Sequence, residues 1–106
     1  HRREGASALL FASRMGNFDC CKQLLSYGAD INLRDVSGCT PLMHSIMGND
    51  IYSLEFLLEH GADYTTVNHD GMYPMLLASM CRYQSCVDML QKFIDRDAKN
   101  SNSTGV

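Results

Sequence analysis

The stretch Asp35-Val36-Ser37-Gly38-Cys39-Thr40-Pro41-Leu42, followed by Gly48-Asn49 and then Leu57-Leu58-Glu59-His60-Gly61-Ala62-Asp63, decides the fold. Asp35 to Gly38 is a turn signal, because glycine enters φ > 0 without steric cost and aspartate bonds its own backbone nearby. Thr40-Pro41 then reads as an N-cap and a first helical position, where proline's missing N–H needs no partner. Leu42, Ser45 and Ile46 form an apolar helical stripe. Gly48-Asn49 stops that helix, asparagine being one of the few non-glycine residues that accept the left-handed region. A second helix carries Ile51, Leu54, Leu57 and Leu58 on one side, and Gly61 ends it with a left-handed cap.

Working outward, the same signals recur. Gly5, Gly38 and Gly71 lie 33 residues apart, as do Gly28 and Gly61, Ala29 and Ala62, Asp30 and Asp63, and Pro41 and Pro74. Apolar columns keep the register (Leu9, Leu42, Met75; Leu24, Leu57, Leu90), and so does a column of small residues at Ala12, Ser45 and Ala78. Three units follow, at 2–34, 35–67 and 68–100, with a polar C-terminal tail at 101–106. Each is a helix–turn–helix too short to stand alone, since isolated helices under ~12–15 residues are marginal in water. Stability must come from stacking, and three units are about the minimum for a continuous core. The three glycines are expected in equivalent turns.

The two quoted segments resemble the ankyrin repeat, whose pattern runs D-x-x-G-x-T-P-L-H-x-A and then L-L-x-x-G-A-D. The resemblance covers nearly the whole chain. It implies an all-α solenoid of L-shaped units with short β-hairpin loops projecting from the helix pairs. Departures are specific. The family's histidine after T-P-L is replaced by Leu10, Met43 and Leu76, and its threonine by Ser7 and Tyr73 in the outer units. In the third unit Gly-Ala-Asp gives way to Ile94-Asp95-Arg96, so no further hairpin is encoded there.

Composition narrows the function. With 106 residues, 45% hydrophobic and 20% charged, the chain has room for one domain. Net charge is -3 with no run of five like charges, so no nucleic-acid partner is expected. The longest uncharged stretch, Val36 to Asn49, is too short and polar to span a bilayer, so no membrane insertion is expected. The five cysteines are odd in number and form no CxxC pair, which speaks against a disulfide framework or zinc site. Free thiols suit a reducing cytoplasm or nucleus, where the sequon Asn102-Ser103-Thr104 has no role. The first residues lack a signal peptide's apolar core, and a chain starting at His1 reads as part of a longer protein with further repeats or domains.

No catalytic, cofactor or metal site is expected. Motifs such as G-x-S-x-G, H-E-x-x-H and the phosphate-binding glycine loops are absent. His44, His60 and His69 could each meet a cysteine in space, and Cys39 with His44 is a candidate pair that reads more simply as an exposed small hydrophobe beside a solvated imidazole. Asp30 and Asp63 suit loop hydrogen bonding.

The family resemblance implies instead a non-catalytic module that binds a protein or peptide along a concave groove, through hairpin tips and first helices. Carried over by position, its contact sites fall on Arg3, Glu4, Ala6, Arg14 and Met15, on Val36, Ser37, Cys39, Met47 and Gly48, and on His69, Asp70, Met72, Met80 and Cys81. Of these, Arg3, Arg14, Met15, Val36, Cys39, Met47, His69, Met72 and Met80 make the candidate partner-binding set. Methionine suits adaptable binding surfaces, although it also fills gaps between helices. Arg3 and Arg14 would anchor an acidic group. Two other roles fit the chain: a spacer or cap within a longer array, and a modification site at Asn32. There the Leu24-x5-Asp30-Ile31-Asn32 segment resembles one that an asparaginyl hydroxylase recognises in ankyrin repeats.

Overall fold

The computed structural model describes the backbone of residues 2–104 and the side chains of residues 8–99. Six helices follow in order: α1 (Arg2–Met15), α2 (Phe18–Ser26), α3 (Pro41–Met47), α4 (Ile51–Glu59), α5 (Pro74–Cys81) and α6 (Gln84–Thr104). Helices α1, α3 and α5 pack side by side in one row, and α2, α4 and α6 in a second row behind them. The chain is an all-α solenoid.

Local chemistry sets the helix starts. Proline pushes its predecessor out of the helical region, and Thr40 (φ −100°, ψ 168°) and Tyr73 (φ −118°, ψ 164°) are both extended. The Thr40 hydroxyl accepts the Met43 N–H at 3.3 Å, capping α3. Tyr73 has no such side-chain cap for α5. The first unit has Ser7-Ala8 at these positions, with no proline to break the helix, and α1 runs back through Gly5 to Arg2. Gly38 (φ 82°) and Gly71 (φ 80°) occupy equivalent turns, whereas Gly5 lies inside a helix, contrary to the expectation that all three are turn residues.

Helix ends follow the same logic. Gly28 (φ 94°) and Gly61 (φ 86°) take the left-handed conformation just beyond α2 and α4. Ile94 stands in their column, and α6 continues past it. Tyr64 Oη donates to Asp97 Oδ2 at 2.8 Å, tying that continuation to the preceding loop.

The core is the stacked apolar columns. Leu42, Ile46, Leu54, Leu57, Ala78, Cys86 and Leu90 are fully buried in one cluster, and Leu9, Ala12 and Cys21 form a second. Each fully buried leucine contributes about 1.5–3 kcal/mol. Gly48 permits the tightest helix approach: a Cβ there would lie 2.4 Å from the Arg14 carbonyl oxygen. The tips close as hairpin turns, with Asp35 N–H donating to Cys39 O at 2.9 Å and Asn68 N–H to Met72 O at 2.8 Å. No strand forms among the described residues. None of the described helices is long and apolar enough to cross a membrane.

The turns between first and second helices share a left-handed column: Gly16 (φ 73°), Asn49 (φ 52°) and Arg82 (φ 61°). Arginine is strained there and its side chain is exposed. Replacing Arg82 with glycine should raise stability by about 0.5–1 kcal/mol, the relieved strain exceeding glycine's entropic cost. A denaturation midpoint that falls or stays put would contradict this account of the turn.

Candidate protein-binding face

The second tip is organised by one carboxylate. Asp35 Oδ1 accepts the N–H groups of Ser37 (2.9 Å) and Cys39 (2.8 Å), while Oδ2 meets His44 Nε2 at 2.9 Å. On the other side of the ring, Arg14 Nη1 lies 3.5 Å from His44 Nδ1 and 3.7 Å from the Met47 sulfur. Arginine can only donate, so the neutral imidazole with its proton on Nε2 satisfies both neighbours. His44 is thus a bridge between α1, α3 and the tip, with its side chain 13% exposed, and not the solvated imidazole read from sequence.

The third tip repeats the backbone chemistry without the charge. Asn68 Oδ1 accepts the N–H groups of Asp70 and Met72, each at 2.9 Å, and Nδ2 donates to the Cys39 sulfur at 3.4 Å. This corrects the reading of Cys39 as exposed: it is 8% exposed, packed beneath the following tip, and unavailable as a contact residue. It does not pair with His44 either, whose ring is taken by Asp35. Neighbouring tips are joined through His69 N–H to Ser37 O at 2.9 Å and Arg34 Nη2 to Val67 O at 2.8 Å.

The other anticipated residues divide by place. Val36 at the tip (95% exposed) and Met80 on α5 (66%) stand in the open, with His69 and Arg14 also exposed. Met47 and Met72 are half-buried, Met47 within reach of Arg14. Met15 is exposed but lines a hollow on the far side of α1, with Phe11 and Leu24. The Arg3 side chain lies outside the described residues. Asn32 is exposed, and its Oδ1 accepts the Asp63 N–H at 2.8 Å, linking the first and second loops. Asp30 and Asp63 each accept an N–H two residues on, as loop carboxylates should. Sequence reading missed Tyr73 and Val67, which add exposed apolar surface near the tips. The substitution of tyrosine for the family's threonine was the available signal for Tyr73.

The interior thiols are chemically quiet. Burial pushes the Cys21 thiol up against the opposing hydrogen bonds of Ser13 and Ser53, and burial first, with nearby Cys81 and Asp50, pushes Cys86 up to about 11. Both keep their protons at neutral pH, and the thiolate is the reactive form.

Comparison with known proteins fixes the lineage. The family described as "Ankyrin repeats (3 copies)" matches residues 9–103. The chain belongs to the ankyrin repeat family. Relatives include the human protein phosphatase 1 regulatory subunit 27, 43% identical over 66% of this chain and 46% of its own length. A putative ankyrin repeat protein of Acanthamoeba polyphaga mimivirus is 36% identical over 76% of this chain and 11% of its own. Mouse neurogenic locus notch homolog protein 1 is 32% identical over 91% of this chain and 4% of its own. The chain therefore spans less than half the length of these curated relatives. Ankyrin repeats are in general non-catalytic protein-interaction modules.

Within this ankyrin stack, Asp35 gives a pH handle. Burial raises its carboxyl, but the Cys39 N–H, the His44 ring and the Ser37 N–H together hold it below the usual carboxylate range. A depressed folded-state value means the contribution is complete above the unfolded value and disappears as pH falls through the folded one. Asp35→Asn keeps the two backbone contacts, as Asn68 shows, and removes the charge facing His44. It should cost under ~1 kcal/mol near neutral pH and flatten the acid limb of melting temperature against pH. An unchanged limb would show that the pair carries no linkage.

Proposed function

We propose that the tips and first helices form a groove that binds a protein segment presenting apolar side chains. The observation that carries this reading is the exposure of Val36 and Met80, together with half-buried Met47 and Met72, on units joined to one another by Arg14 and His69. Adaptable thioether side chains suit partners of varied shape. Arg14 and His69 supply polar anchors, and Arg3 would extend them for an acidic group. A free-thiol chain of this kind works in the cytoplasm or nucleus, as an interaction or scaffold element of a longer protein.

A peptide library selected against the chain tests this. Selected peptides should lose about tenfold or more in affinity for Met80→Glu, and more for the Met47→Glu, Met80→Glu pair, since a buried charge disrupts apolar contact. Circular dichroism should remain unchanged for Met80→Glu. Equal affinity for the variants would place binding elsewhere, and failure to select any peptide would favour the spacer role.

A second reading concerns Asn32, favoured by its exposure at the loop edge. As a substrate of an asparaginyl hydroxylase it would gain one oxygen atom, visible in the mass of its peptide after incubation with the enzyme. An unmodified peptide would dispose of this role.

A further inference from the structure

Arg14, His44 and Asp35 come together where the first unit packs on the second. Asp35 Oδ2 lies 2.9 Å from His44 Nε2, and Arg14 Nη1 lies 3.5 Å from His44 Nδ1 and 3.7 Å from the Met47 sulfur. Both of these acceptors for the guanidinium are neutral. The third unit has Asn68 and Leu77 at the places of Asp35 and His44, so it does not repeat the arrangement. Arg14 is exposed, and its column continues as Met47 and Met80, two of the apolar side chains of the groove.

Charge and proton position decide what this cluster can take. With His44 neutral, one arginine and one aspartate cancel, and the Nδ1 lone pair points at Arg14. An anion placed beside Arg14 then meets that lone pair and no net positive charge. When the ring takes a proton from solvent at Nδ1, both nitrogens donate and the cluster gains one positive charge. Alone, that state sets two like-charged N–H groups 3.5 Å apart. A carboxylate accepting from both, in charge-assisted hydrogen bonds, relieves the repulsion. Proton and carboxylate each favour the other's binding, and the coupling is reciprocal.

Among the described residues, no other charge from the packed elements competes at the ring. Helix α5 has no charged residue, and Cys81 is its one titratable group. On α4, Glu55 lies 3.8 Å from Lys92 and Glu59 is exposed. In the same tip, Arg34 donates to the Gly38 and Val67 carbonyl oxygens. In the next tip, His69 and Asp70 are exposed.

We propose that Arg14 and His44 form a proton-linked subsite for a single carboxylate of a partner protein. The proposal rests on the groove reading for the rest of that partner, and adds an acidic residue beside the apolar ones. Binding there takes up a proton. It tightens as pH falls through the imidazole range and weakens again once the carboxylate itself protonates.

Sodium acetate is the first probe, because it carries the carboxylate alone. The His44 ring signals are followed by NMR from about pH 5.5 to 8, in acetate and in chloride at equal ionic strength. Acetate near its dissociation constant should move the His44 midpoint up by about 0.3 pH units, with His60 on the second row of helices unmoved. Arg14→Gln, at an exposed position, should abolish that displacement. Peptides selected against the chain near pH 6 are the second probe. They should carry Asp or Glu, and lose about tenfold in affinity on raising the pH by about 1.5 units or on replacing that residue with its amide. Acetate indistinguishable from chloride, or an acetate effect that survives Arg14→Gln, would overturn the proposal. Selected peptides that need Met80 but no acidic residue, with no pH dependence, would overturn it and leave the groove standing. An acetate effect without any selected peptide would keep the subsite and remove the groove.

Discussion

Helices of seven to nine residues do not persist in water, and α2, α3, α4 and α5 are all of this size. They exist because each helix pair presses its leucine column against the next. Leu57 and Leu90 are fully buried, while Leu24 in the same column is half-buried against open space. Stability in such a stack is a sum of weak units and the interfaces between them. The second unit, covered on both sides, is the most thoroughly buried part of the molecule, and the first is the least. Every other property of the chain is conditioned by that gradient.

Within each unit, a few residues convert this general demand into a defined path. Thr40-Pro41 fixes where α3 begins, and Gly61 fixes where α4 ends. These are local effects, decided by backbone sterics within a few residues, and so they were legible in the sequence. The same rules account for the misreading of Gly5. Its column was right, but a turn needs something to stop the neighbouring helix, and Ser7-Ala8 lacks the proline that does so in the other units. Periodicity shows which residues are equivalent. It does not show whether each copy keeps the neighbours that make equivalence hold.

The candidate face was harder to read for a related reason. Exposure depends on what lies across the interface, not on the residue's own unit. Cys39 looked like a tip residue open to solvent, yet Asn68 of the following tip reaches over it. His44 looked solvated, yet Asp35 from its own unit and Arg14 from the preceding one enclose it. Val36, Met80 and His69 were placed at the surface by their position in the repeat, and all three are exposed. Asp35 and Asn68 also separate two roles that one side chain had merged. The Oδ1 atom builds the turn in both units, and only the aspartate adds a charge for His44.

Because the proposed face draws residues from all three units, binding to it and folding of the stack would be linked. Arg14 on α1 reaches Met47 on α3, and His69 of the third tip takes hold of Ser37 in the second. A ligand lying across these contacts engages only the stacked form, so its binding free energy adds to the interfaces that hold the units together. The outermost unit, with one side uncovered, gains most from such a ligand. Conversely, anything that loosens the first unit removes Arg14 from the face while leaving Val36 and Met80 in place. Affinity for a partner that spans the whole groove should therefore be more sensitive to the integrity of α1 and α2 than affinity for one confined to the second and third tips. On the proposed reading, the cohesion of the stack is in this sense part of the binding site.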